Sequence, residues 1–219
     1  MQSPRCIALG DERTMTRTLL ITSLIAIGGA TVVSAQEPPA GSELGAPELA
    51  FVNLPAKGGA KLIVSSPAFK PGGDIPFENT QYRGNVFPGL SWTAGPPGTK
   101  SYAVIMQDAD AIRSDMPILH WTMVNIPSTI TKLDAGMVDP PAGAQDGPNI
   151  RGPNHPYLGP HTPAGPKHRY HFQVFALDTT LPDALPTYDA LVAAMKGHVL
   201  ASGQVIGLGQ VAPPAGSQE

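Results

Sequence analysis

Three segments of the sequence place carboxylate, imidazole and phenol groups where they could do chemistry. They are Asp108-Ala109-Asp110, the His120-Trp121 pair, and a Pro/Gly-rich loop that leads into His168-Arg169-Tyr170. Such side chains can ligate a metal ion, form an acid/base pair or hydrogen-bond an anion. The residue types alone leave all three chemistries open.

The two aspartates follow the β-rich run Ser101–Gln107. Because side chains alternate between the two faces of a strand, Asp108 and Asp110 are expected to point to the same side. Together they could hold a metal, serve as an acid/base pair, or accept hydrogen bonds from backbone and imidazole groups. The alternative is an ordinary solvated turn, in which aspartate is common.

The two strand histidines occupy positions of different kinds. Alternation places His120 on one face with Thr122 and Val124. A histidine with an aromatic neighbour, here Trp121, is more often a hydrogen-bonded core residue than a ligand. His168 and Tyr170 share a face where the next strand begins. An imidazole and a phenol there would supply hydrogen-bond donors for an oxyanion.

Short strand-like runs separated by Pro/Gly turns would position these groups. The β-rich runs are Lys61–Ser65, Gly89–Trp92, Ser101–Gln107, Leu119–Ile126, Arg169–Leu177 and a last strand that includes Val205. They predict a mainly β chain, an antiparallel β-sandwich rather than alternating strands and helices.

The C-terminal part should carry one or two short helices. The segment Leu185–Leu200 is predicted to contain one helix, with Thr187 as its N-cap and Gly197 as its end. A second short helix is expected from His198.

Before these helices, the Pro/Gly-rich stretch Pro140–Pro166 is long for a loop in a compact domain, and such loops are commonly functional. We therefore expect it to form part of the site.

The N-terminus has the pattern of a secretory signal. Arg13 and Arg17 precede an uncharged run that ends in Val33-Ser34-Ala35. A basic region, an apolar region and small residues at the end predict a signal peptide over residues 1–35, cleaved after Ala35. A retained membrane anchor is the alternative, but a span needs about 20 apolar residues and this run is shorter. We therefore expect an exported protein, periplasmic or secreted, without a transmembrane segment after cleavage.

Composition divides the remaining chain and excludes some functions. Residues 36–47 and 211–219 are rich in Pro, Gly and polar residues, which predicts a flexible tether and a disordered tail around a domain at 48–210. The formal net charge of −3 gives no basic stripe for nucleic acid. The single cysteine, Cys6, precedes the predicted cleavage site, so no disulfide or thiolate ligand is expected in the domain.

Taken in order, these motifs resemble the phosphatidylethanolamine-binding protein family, in its bacterial Raf kinase inhibitor-like branch. The resemblance extends from about Leu62 to Gly207. The segments that carry it are Ser66–Lys70, Gly73–Pro76, Asn85–Trp92, Asp108–Ala111, His120-Trp121, Val124–Pro127, Tyr157–Asp178 and Gly197–Ala201.

The resemblance implies a β-sandwich of two antiparallel sheets with a small pocket at one end for phosphate-like or carboxylate-like anions. The family's pocket residues carry over onto Asp108, Asp110, His120, His168 and Tyr170. Its Pro-rich wall falls on His161, Thr162 and Pro163. Two prolines usual near the aspartates are Ala109 and Ile112 here, so this segment should be less rigid.

The leading functional hypothesis is an exported binding protein, without a cofactor, for a small phosphate- or carboxylate-bearing ligand, with a protein partner as a further target. In it, nearby carboxylates hold His120 and His168 as imidazolium facing the ligand. One alternative is a metal-assisted hydrolase that uses Asp108, Asp110, His120 and His168. The other is an interaction protein that inhibits a protease or kinase. We expect a binding protein rather than an enzyme.

Overall fold

The computed structural model describes residues 49–211. The predicted signal peptide and tether, and all of the predicted tail after Val211, lie outside these residues and stay predictions. Within residues 49–211, no helix has the length and apolar character needed to cross a membrane.

The described chain forms two β-sheets. The larger sheet has six strands in the order β1-β9-β8-β4-β5-β7, and the smaller has three in the order β2-β3-β6. The strands are β1 (Ala60–Lys61), β2 (Val64–Ser65), β3 (Leu90–Trp92), β4 (Ser101–Arg113), β5 (Met116–Pro127), β6 (Lys132–Leu133), β7 (Gln145–Asp146), β8 (His168–Leu177) and β9 (Val199–Gly209). All strand pairs are antiparallel except β1 with β9. The predicted mainly β sandwich of two sheets is confirmed.

Helices are few and short within residues 49–211. They are α1 (Ala50–Asn53), α2 (Tyr188–Met195) and two 3₁₀ turns, Lys57–Gly59 and Phe77–Asn79. Thr187 caps α2 as predicted, because its Oγ1 accepts a hydrogen bond from the Ala190 N–H at 3.2 Å. The second helix expected from His198 is wrong. Strand β9 begins at Val199 and pairs along the whole of β8, which satisfies its backbone in the sheet.

Apolar side chains fill both faces of the central strands. On β4, Tyr102, Val104 and Met106 belong to a core that also includes residues of the smaller sheet, whereas Ala103 and Ile105 pack with residues of the two helices. A strand buried on both faces reads as a continuous apolar run, which explains why Ser101–Gln107 lacks alternation. Asp108 continues the row of even-numbered residues at the end of this buried stretch.

The β4–β5 hairpin is longer than the sequence predicts. Asp108 and Asp110 lie inside β4, and the chain turns at Ser114 and Asp115, whose φ values of 52° and 59° suit a two-residue hairpin turn. The pairing register of this hairpin shifts three times, first between Tyr102 and Val104 and then twice nearer the turn. One of these two later shifts skips His120, because Met106 pairs with Trp121 while Gln107 pairs with Leu119, and the other falls between Asp108 and Ile112. Such bulges redirect side chains.

Candidate functional site

A cavity of about 620 Å³ opens where β4, β5 and β8 meet the loop that precedes β8. We call it the large cavity. Its polar lining consists of Gln81, Asp108, Arg113, His120, Arg151, His161 and His168. Its apolar lining consists of Ala111, Ile118, Ile150, Leu158 and Pro163.

Asp108 and His168 form the central polar pair of this cavity. The Nδ1 of His168 lies 2.8 Å from Oδ2 of Asp108, and a carboxylate only accepts, so Nδ1 carries the proton. The other oxygen, Oδ1, accepts the backbone N–H of Asp110 at 2.9 Å. The side chain of Asp108 is 3% exposed and that of His168 is 15% exposed. Both carboxylate oxygens are therefore engaged, and Nε2 is the remaining nitrogen of His168.

His120 is turned towards the same place by the bulge in β5. Its ring contacts Tyr170 edge-on at a centroid distance of 5.0 Å, although strand alternation predicted a common face with Val124, which packs in the other core. Its Nδ1 lies 3.1 Å from the carbonyl oxygens of both Leu158 and Gly159, which can only accept, so Nδ1 donates. Nε2 is left as an acceptor in the neutral ring.

Burial lowers the pKa of His120 below its ordinary value, and the nearby Asp108 offsets this only in part. The prediction that a carboxylate holds this histidine as imidazolium is therefore wrong. The physical reason is that desolvation of a nearly buried ring outweighs the attraction of a carboxylate that is already paired with His168.

Tyr170 and Thr162 form the wall behind the cavity rather than its lining, and both are fully buried. The Tyr170 hydroxyl accepts the His161 N–H at 3.2 Å and lies 3.2 Å from the Thr162 hydroxyl. Burial raises the pKa of Tyr170, so its phenol stays neutral. Gly209 passes close behind this pair, because a Cβ there would strike the Tyr170 ring and the Thr162 hydroxyl.

Asp110 lies outside the cavity, and the prediction that it shares a side with Asp108 is wrong. Its carboxylate accepts three hydrogen bonds from Arg169: from the backbone N–H at 2.7 Å, from Nε at 2.9 Å and from Nη2 at 2.5 Å. Partial burial raises its pKa, but the hydrogen bonds from Arg169 outweigh this and lower the pKa overall. The register shift after Asp108 interrupts the alternation on which the prediction depended.

The Pro/Gly-rich loop builds one side of the cavity, which confirms its predicted place in the site. Leu158, His161 and Pro163 all line it. The segment before β3 fixes this loop. Asn85 accepts the Gly159 N–H at 2.7 Å and donates to the Tyr157 carbonyl at 2.9 Å, and the His161 ring stacks on Tyr82 at 4.7 Å.

Sequence reasoning missed three polar residues of the lining: Gln81, Arg113 and Arg151. Gln81 reaches the site because its amide donates to the Gly159 carbonyl at 2.8 Å. Arg113 stands beside the hairpin turn, and Arg151 follows an Asn149 side chain that accepts its backbone N–H at 2.8 Å. Nothing in the sequence distinguished these three residues from other polar residues near turns.

The arrangement suits an anion better than a cation. Among the residues that the structure describes, Asp108 is the one acidic residue of the lining, which also includes two arginines and three histidines. The four-residue metal set predicted as an alternative is not assembled, because Asp110 is held by Arg169. Across residues 49–211, no three His, Cys, Asp or Glu side chains are placed to hold a metal ion.

Comparisons with known proteins give the chain a family. It is 39% identical over 146 residues to a UPF0098 protein of Methanothermobacter thermautotrophicus, covering 64% of this chain and 93% of that one. It is 31% identical over 209 residues to the candidate lipoprotein LppC of Mycobacterium tuberculosis, covering 93% and 96%.

Solved structures of similar proteins share the fold. One is a homologue of phosphatidylethanolamine-binding protein from Chlamydia trachomatis, with a TM-score of 0.61 and 31% identity over 68% of this chain and 96% of that one. Another is YbcL of Escherichia coli, described as a member of the mammalian family, with a TM-score of 0.61 and 27% identity over 69% and 99%. The family model for phosphatidylethanolamine-binding protein matches residues 65–210. The chain therefore belongs to the phosphatidylethanolamine-binding protein family.

Proposed function

We propose that this protein binds a small phosphate- or carboxylate-bearing ligand in the large cavity. The observation that carries the proposal is the charge balance of the lining. Among the described residues, Arg113 and Arg151 line the cavity together with a single carboxylate, which His168 already engages. A phosphate or carboxylate would meet arginine donors suited to planar and tetrahedral oxyanions.

His168 is the residue through which the buried pair would reach the ligand. Asp108 fixes the proton on Nδ1. With a proton also on Nε2, the ring would donate a hydrogen bond to a bound anion, and the Asp108 carboxylate would balance the charge of the ring. His120 has the complementary role. Its neutral Nε2 would accept a hydrogen bond from a ligand hydroxyl, such as the one on a phosphate monoanion.

Binding, rather than catalysis, is the activity that we infer. The metal-assisted hydrolase needs Asp110 beside Asp108, and the three hydrogen bonds from Arg169 hold it elsewhere. Modulation of a protein partner is compatible with anion binding when the partner presents an acidic or phosphorylated group.

We also propose that the protein is exported. The predicted signal at residues 1–35 supports this, and so does the similarity to LppC, which spans 93% of this chain and carries a lipoprotein name. Intact-mass measurement on protein from the extracytoplasmic fraction should give a mature N-terminus at Gln36. Retention of Leu19–Val33 in that fraction would contradict cleavage.

Isothermal titration with inorganic phosphate and phosphoethanolamine, with and without chelator, tests the proposed function. Wild type should bind equally well with the chelator. Because loss of a donor to a charged group costs about 1.5–3 kcal/mol, His168→Ala and Arg151→Ala should each weaken binding at least about tenfold. Lys132→Ala, in an exposed ion pair on the smaller sheet, is the matched control and should bind as wild type. Unchanged affinity in His168→Ala and Arg151→Ala would refute the site.

A further inference from the structure

A second depression of about 340 Å³ lies against the large cavity. We call it the side groove. Arg113, Ile118 and Ile150 line both spaces, so the two are neighbours that share a wall beside the hairpin tip. The far side of the groove is the start of α2, where Pro186, Thr187 and Tyr188 lie.

One wall of the side groove is apolar. It consists of Met116, Pro117, Ile118, Leu119, Pro148, Ile150 and Pro186. Three of these are prolines, which have no N–H to offer and hold a fixed shape. This part of the groove is therefore a rigid apolar surface.

Two of the polar side chains on its rim already have partners within the protein. The Thr187 hydroxyl caps α2, and the Asn149 side chain bonds the His120 carbonyl at 3.3 Å and the Arg151 N–H at 2.8 Å. The rest of the polar lining consists of Arg113, Ser114, Tyr188 and Asp189. An apolar occupant would remove the apolar part of the groove from water.

We propose that the ligand is an anion joined to one short apolar arm, with the anion in the large cavity and the arm in the side groove. This rests on the proposed function. Arg113 faces both spaces and would contact the oxygen that links the two parts. It is thereby a residue that determines which anions are selected.

The groove is suited to a short arm. Its volume is at the lower end of the range of about 300–1,000 Å³ for small-molecule sites. Polar residues end it on the α2 side, where Thr187 and Asp189 stand. An arm the size of an amino-acid side chain, such as butyl or phenyl, fits these limits, whereas a long acyl chain would extend past the polar rim into water.

Titration of the full-length protein with alkyl phosphates tests the inference. Methyl, butyl, phenyl and octyl phosphate share one anion and differ in the arm. Burial of three added methylenes should make butyl phosphate bind at least about tenfold more tightly than methyl phosphate, since each buried methylene contributes about 0.8 kcal/mol. The gain should level off between butyl and octyl. Butyl phosphate should also bind with a more negative heat-capacity change.

A variant isolates the groove. Met116 lines the side groove and not the large cavity. Met116→Ser should remove most of the butyl gain and leave the affinity for methyl phosphate unchanged, whereas Arg151→Ala should weaken all the compounds alike. Far-ultraviolet circular dichroism checks folding of the variant, and the heat-capacity comparison in wild type needs no variant.

The outcomes separate the two proposals. If methyl and butyl phosphate bind equally, the side-groove inference is wrong and the anion site stands. If affinity rises steadily to octyl phosphate, the arm is a long chain and the short-arm assignment is wrong. If no phosphate binds, both are wrong.

Discussion

Two irregular stretches of the same hairpin move two side chains in opposite directions. In β5, the bulge at His120 turns its ring towards Tyr170 and into the large cavity. In β4, the register shift after Asp108 turns the carboxylate of Asp110 away, to Arg169. Without these shifts, alternation would place His120 on the helix-covered face and Asp110 beside Asp108.

The difference shows that a cavity of this kind is built by departures from regular pairing. A regular strand offers every second residue to one face, which would give this cavity two adjacent carboxylates. The shift in β4 leaves one carboxylate, already paired with His168, and so leaves the arginines of the lining to dominate. The bulge in β5 adds the neutral ring of His120 to the lining.

Removing each aspartate in turn is the strongest test of the claim that Asp108 serves the cavity and Asp110 does not. Asp108→Ala takes the partner from a largely buried His168 and from the Asp110 N–H. We expect the free energy of unfolding to fall by about 3 kcal/mol and phosphate affinity to drop more than tenfold. Urea unfolding and calorimetric titration measure the two effects.

The matched variant is Asp110→Ala, two residues away. Its carboxylate pairs with Arg169, and both side chains are 29% exposed. A pair so accessible to solvent contributes about 1 kcal/mol or less, and phosphate affinity should stay as in wild type. Equal effects of the two substitutions on affinity would show that both carboxylates serve the cavity.

A second test compares the arginines on the two sides of Asp110. Arg113 lines the cavity, whereas Arg169 is held by Asp110 on the other face. Arg113→Ala should weaken phosphate binding about tenfold, because one charge-assisted donor is lost, and should change the free energy of unfolding by less than about 0.5 kcal/mol.

Arg169→Ala should lower the free energy of unfolding and leave the affinity for phosphate unchanged. Titration at two salt concentrations sharpens the result, since screening should reduce the contribution of the exposed Arg113. An Arg169→Ala variant that loses phosphate binding would contradict this assignment.

The sequence predicts the strands that carry the site more reliably than it predicts where their side chains point. The strand-rich pattern, the Thr187 cap and the position of the Pro/Gly-rich loop along a cavity are confirmed. These features depend on local composition, on periodicity and on turn chemistry, which one chain displays by itself.

The directions of His120 and Asp110 depend on register, and no residue in the sequence marks a bulge. The helix expected at His198 fails for a related reason. The strand that replaces it, β9, packs against residues far along the chain. At Gly203, for example, the Leu62 carbonyl comes so close that a Cβ would strike it. The arginines of the lining were missed because Arg113 and Arg151 reach the cavity only after the hairpin and the loop fold over it.

The smallest expected effect is the pH dependence of the free energy of unfolding. It allows His120, which lines the cavity, to be compared with His171, which does not. Burial lowers the pKa of His120, and His161 adds to the lowering while Asp108 opposes it. Burial also lowers the pKa of His171, whose Nδ1 lies 3.0 Å from Gln204 Oε1.

For each of these histidines, the unfolded chain takes up its proton near the ordinary pKa of about 6.5, whereas the folded protein does so only at lower pH. The stability that each neutral ring contributes is therefore fully present above pH 6.5 and is lost as the pH falls below it. Between pH 7.5 and 5.5 the free energy of unfolding should therefore decrease, with a contribution from each histidine. His120→Gln and His171→Gln should each remove one histidine's contribution to this change of the free energy of unfolding with pH. Of the two, only His120→Gln should also change phosphate binding, since His120 lines the cavity and His171 does not. Slopes are compared within each variant, so a lower starting stability does not affect the result. If His120→Gln keeps the full wild-type slope, the ring is not held neutral by burial, and the imidazolium role first expected for it would have to be restored.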